Sequence, residues 1–106
     1  MIKTDIQEKI NFFTQSVRNK LGNNIERIML FGSYARGDYR AGSDFDFLII
    51  VHQKNQHTRE SLSKIKVDFL DKYNELAACL VYDENEWLEC LRLPLGYNIS
   101  REGVPV

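Results

Sequence analysis

The sequence predicts one α+β domain over residues 1–106, a small mixed β-sheet with helices packed on it. Three observations predict it. Two stretches, 4–21 and about 59–74, repeat apolar residues at three- and four-residue steps, the period of an amphipathic helix. Three others, Ile25 to Phe31, Asp44 to Val51 and Leu76 to Tyr82, read as strands. The length of 106 residues suits one hydrophobic core and is too short for two.

In chain order, Thr4-Asp5 is a good helix start. Ile6, Ile10, Phe13, Val17 and Leu21 then share a face before Gly22 stops the pattern. The turn Gly22-Asn23-Asn24 leads into the first strand, which ends abruptly at Gly32-Ser33. Residues 38–43 hold too many turn formers to be regular, so they loop back and lay the second strand beside the first. Within that strand Phe47 to Val51 is almost continuously apolar, as expected of a central strand covered on both faces. His52 to Arg59 is polar and reads as loop, and Leu62, Ile65, Phe69 and Tyr73 mark the second helix. After the third strand, Asp83 and Glu86 form a cap and its third-residue partner for a short helix that Trp87 anchors to the core. The segments Leu93 to Ile99 and Val104 to Val106, apolar but broken by Pro and Gly, are expected to form either a partner surface or an edge strand.

Bulk properties exclude several classes. Fourteen basic and fifteen acidic residues give a net charge of −1, without the basic excess of a nucleic-acid binder. No apolar run reaches bilayer length, and the N-terminus lacks the basic-then-apolar pattern of an export signal, so a cytoplasmic protein with no membrane contact is expected. Cys79 and Cys90 have no zinc-ligand spacing and are expected as free thiols. His52 and His57 have no partner motif and read as surface residues.

The chemistry concentrates between Phe31 and Val51. Gly32-Ser33 has almost no side-chain bulk, so another molecule's phosphates can approach the backbone. If Ser33 opens a short helix through Tyr34, Ala35 and Arg36, its N–H groups and hydroxyl point at an anion. Ten residues on, Asp44 and Asp46 head an apolar strand. The strand period puts both carboxylates on one face, roughly 7 Å apart along the chain, and turns Phe45 and Phe47 into the core. Hard oxygen ligands at this spacing suit Mg²⁺, which fills its other positions with water and phosphate oxygens. Either feature alone is commonplace; in this order and at this separation they suffice for a metal-bridged triphosphate.

At Phe31-Gly32-Ser33 and Asp44-Phe45-Asp46 the chain resembles the DNA polymerase β-like nucleotidyltransferase superfamily. The run Gly32 to Gly37, Ser43 to Asp46 and the ending Arg101-Glu102-Gly103-Val104 resemble its small stand-alone branch, the minimal nucleotidyltransferases encoded beside a HEPN-domain protein. The resemblance implies a polymerase β palm-like fold, with Asp44 and Asp46 as catalytic and metal-binding residues for Mg²⁺. It also implies Gly32 and Ser33 at the triphosphate of ATP or another NTP, with Arg36 or Arg40 neutralising charge. The implied partner is a HEPN-type toxin, adenylylated on a hydroxyl, with this chain as its antitoxin. Whether it works as a homo-oligomer or a hetero-oligomer is left open. Active members carry a third carboxylate on the next strand, and aligning the acidic turn at Asp83 to Trp87 puts Ala78 in that position. The alternative is therefore a catalytically weak antitoxin that binds nucleotide and neutralises its partner by complex formation. A third reading, an aminoglycoside-type small-molecule nucleotidyltransferase, calls for a substrate-holding domain absent from these residues.

Overall fold

The computed structural model describes residues 2–106. Helix α1 (Thr4–Leu21) is followed by a 3₁₀ turn and strand β1 (Ile25–Phe31). The one-turn helix α2 (Ser33–Arg36) and a loop lead to β2 (Phe45–Val51). Then come α3 (Gln56–Tyr73), β3 (Ala77–Asp83), α4 (Glu84–Cys90), α5 (Pro94–Glu102) and β4 (Val104–Pro105). The sheet order is β3-β2-β1-β4, with β2 and β3 parallel and the other two pairs antiparallel. This is the mixed α+β architecture that the sequence predicts.

The central position of β2 follows from its composition, since residues 47–51 are all essentially inaccessible. Its alternate residues divide the core in two. Phe45, Phe47, Ile49 and Val51 pack with Ile28 and Leu30 under α1 and α3. Leu48 and Ile50 pack with Met29 under Trp87 and Cys90 of α4 and Ile99 of α5. Trp87 is thus the expected anchor, and the Asp83–Glu86 capping box starts its helix as expected. Cys79 and Cys90 are free.

Boundaries differ where capping decides them. α3 begins at Gln56 rather than near Arg59, because the Asn55 side chain accepts the Thr58 N–H at 3.0 Å and closes the first turn earlier. β2 begins at Phe45, leaving Asp44 just ahead of the strand. The larger correction is α5. Pro94 sits in its first turn, where a missing N–H costs nothing, and so starts a helix rather than breaking one. Gly96 lets α5 approach α4, since any Cβ there would strike the Cys90 carbonyl. The edge strand is confined to Val104–Pro105, and among the described residues no helix is long and apolar enough to cross a membrane.

Candidate active site

The site forms where β1 hands over to α2. Phe31 is the register partner of Asp46 on the adjacent antiparallel strand, so the small-residue corner and the acidic strand head meet side by side. Gly32 has φ +77° and ψ −156°, a region essentially reserved for glycine. A Cβ at Gly32 would overlap the Asp46 carboxyl. The sequence therefore needs glycine here twice, for its backbone and for the space a carboxylate occupies. The Gly32 carbonyl accepts the N–H groups of Ala35 at 3.1 Å and Arg36 at 3.0 Å, closing the single turn that Ser33 opens.

The corner is braced by aromatic stacking. Tyr34 lies between Phe45 (3.9 Å between ring centroids) and Tyr39 (4.5 Å), nearly parallel to both. Phe45 belongs to β2, so the ring facing into the core beside Asp46 is the one that seats α2. Tyr34 and Tyr39 were not singled out by sequence reasoning; their signal was an aromatic spacing of five across a turn-rich segment.

A cleft of about 390 Å³ opens over the corner, lined by Gly32, Ser33, Arg36, Asp46, Asn98 and Glu102 among others. Asp46 lines it half-buried, and Asp44, exposed, precedes it by one strand period. Burial foremost, and then the negative charge of Asp44, raise the Asp46 carboxyl above its ordinary value, while Arg36 opposes the shift. Arg36 sits at the rim, its Nε 3.2 Å from an Asp38 oxygen and its Nη1 3.1 Å from Glu102 Oε2. Arg40 is exposed in the connecting loop and does not line the cleft; its backbone N–H donates to the Ser43 hydroxyl. The α5 wall, supplied by Leu95, Asn98, Ile99 and Glu102, escaped sequence reasoning along with the helix itself.

On the other side of Asp46, the parallel register pairs it with Ala78 of β3, which is exposed. Position 78 is thus the residue beside Asp46 on the neighbouring strand, and it carries a methyl group. Among the described residues no cluster of three or more His, Cys, Asp or Glu is gathered at metal-holding range.

The nucleotidyltransferase domain family matches residues 10–94, most of the chain. The chain belongs to that family. Two proteins of Methanocaldococcus jannaschii, each named "putative protein adenylyltransferase", are similar to this nucleotidyltransferase domain. One is 35% identical over 79 residues, covering 74% of this chain and 80% of its own. The other is 30% identical over 97 residues, covering 92% and 93%. Among solved structures, one titled "Structure of putative minimal nucleotidyltransferase" has a TM-score of 0.60 at 21% identity, covering 99% of this chain and 95% of that one. A toxin-antitoxin crystallised with AMP-PNP has a TM-score of 0.60 at 16% identity, covering 90% and 69%. A tri-AMPylated Shewanella oneidensis HEPN toxin in complex with its MNT antitoxin has a TM-score of 0.57 at 14% identity, covering 93% and 69%. At these identities the structural likenesses establish the shared fold.

Proposed function

We propose that the chain is a minimal nucleotidyltransferase that moves AMP from ATP, with Mg²⁺, to a hydroxyl of a partner protein. The observation that carries this is the Asp46 carboxyl set against Gly32 on an open cleft that also exposes Ser33 and Arg36. The names of the two archaeal relatives and the HEPN–MNT and AMP-PNP complexes among its fold neighbours support the same reading. By analogy with those complexes the acceptor is a HEPN-type toxin and this protein its cytoplasmic antitoxin.

The residues present fit a hard divalent cation. Asp46 is held among burial and like charge, and no described group donates a hydrogen bond to relieve it, which is the setting a dication would neutralise. Asp44 and Asp46 would hold the ion, which when bound supplies charge neutralisation to the triphosphate. The chain's own share is positioning. Gly32 and Ser33 admit the phosphates to the backbone, and Arg36 faces the charge that develops on the leaving group. The acceptor oxygen bonds to the α-phosphorus, the bond to the β-phosphate oxygen breaks, and pyrophosphate leaves with the electron pair. With Ala78 beside Asp46, β3 offers no carboxylate at this end of the sheet to take the hydroxyl proton, which passes to water.

Ala78 favours a second reading, an antitoxin that binds nucleotide and neutralises its partner as a complex without appreciable transfer. Intact mass of the partner after incubation with this protein, ATP and Mg²⁺ separates the two. An adenylyl adduct that is lost in Asp44→Asn and Asp46→Asn supports transfer. A tight complex with no adduct, indifferent to those substitutions, overturns it in favour of binding.

A further inference from the structure

We infer that Glu102, at the C-terminal end of α5, is a positioning residue that aims Arg36 at the phosphates of a nucleotide in the cleft. The inference rests on the nucleotide reading given above and adds a residue to it. Arg36 is the cation on the cleft's lining, and its guanidinium is committed on two sides. Nε donates to Asp38 and Nη1 to Glu102, while Nη2 makes no hydrogen bond to a described residue. A planar fork held at two of its three nitrogens has one orientation left, and its remaining N–H groups are available to phosphate oxygens.

The two holders differ. Asp38 is two residues on, just past the end of α2, and its side chain is 64% exposed, so it moves with Arg36. Glu102 is 66 residues distant in sequence and 34% exposed, and it belongs to a helix packed on the sheet through Ile99. Among the described residues, only Glu102 ties the guanidinium to a frame independent of α2. It also keeps the arginine from the other strong anions in reach. Arg36 and Asp46 line the same cleft, and a released guanidinium would turn to that carboxylate instead of meeting the phosphates. The Gly103 N–H donating to the Ile99 carbonyl at 2.8 Å closes the last turn of α5 and fixes where Glu102 leaves the helix.

The test is a double-mutant cycle on AMP-PNP binding in Mg²⁺, read by calorimetry on the full chain, with Glu102→Gln, Arg36→Ala and the pair combined. Glu102→Gln keeps the size of the side chain and removes its charge. It is expected to weaken AMP-PNP by about fivefold, the upper range for a partly exposed ion pair, and to leave the melting temperature within a few degrees. In the Arg36→Ala background the same change is expected to have no effect beyond about 1.5-fold, because its target is gone. Equal losses in both backgrounds would show that Glu102 acts through something other than Arg36 and overturn the inference. So would wild-type affinity in Glu102→Gln. Absence of AMP-PNP binding to the wild-type chain would instead remove the nucleotide reading itself, and the inference with it.

Discussion

Replacing Gly32 by alanine tests the geometry on which the site depends, and the structure supplies its own control. At Gly32 the backbone lies at φ +77° and ψ −156°, where a residue with a Cβ carries a strain of about 1–3 kcal/mol. The same Cβ would overlap the Asp46 carboxyl, so that side chain must also move out of its place on the cleft. Gly42 likewise has positive φ, +86°, but a Cβ there meets nothing within 4 Å. Gly42→Ala should therefore cost about 1–2 kcal/mol of backbone strain and leave nucleotide binding nearly intact. Gly32→Ala should lose at least as much stability and, with Asp46 displaced, at least about tenfold in Mg²⁺-dependent AMP-PNP affinity. Urea denaturation gives the first quantity and calorimetric titration the second. If Gly32→Ala binds the nucleotide as well as Gly42→Ala does, the contact between corner and carboxylate has no functional weight and the reasoning fails.

Asp46→Asn should abolish adenylyl transfer yet raise the melting temperature at pH 7. The folded state raises the Asp46 carboxyl, so the native chain holds its proton to higher pH than the unfolded one. Stability from this group accordingly falls as pH rises from the ordinary value of 3.8 through the folded value, and the advantage of Asn should shrink on acidification, as a melting series in pH would show. Ala78→Asp places a carboxylate on the register partner of Asp46 at an exposed position. Adduct formation should rise several-fold with little change in stability, and an unchanged rate in a time course by intact mass would mean that β3 is not the limiting side of the site. Phe45→Ala removes a fully buried ring stacked on Tyr34 and should cost about 3–5 kcal/mol in urea denaturation. Asp83→Ala removes the acceptor of the Glu86 N–H at 2.8 Å and should cost about 1 kcal/mol by the same measure.

The contrast between β2 and α5 shows what the sequence discloses. β2 announces itself because one apolar run can only be a strand covered on both sides, and its period alone assigns Asp46 to one face and Phe45 and Phe47 to the other. Register then follows from the short connection through residues 37–44, which brings Phe31 beside Asp46. α5 stays hidden because its two most conspicuous residues, Pro94 and Gly96, usually end helices. One is harmless in a first turn, and the other is required by a carbonyl from α4 that no local pattern reveals. Glu102 and the far wall of the cleft were hidden with it. Arg40, grouped with Arg36 through the family resemblance, does not line the cleft, because a loop with glycines at positive φ carries no local signal of side-chain direction.

The stack of Tyr39, Tyr34 and Phe45 belongs to the core under α1 and α3, and none of its rings lines the cleft. Its three rings hold the turn by contacts that neither ions nor phosphates take part in. A cargo can consequently arrive and depart without the cradle having to be rebuilt around it each time, and the cost of ordering the turn is met when the chain folds rather than on every encounter.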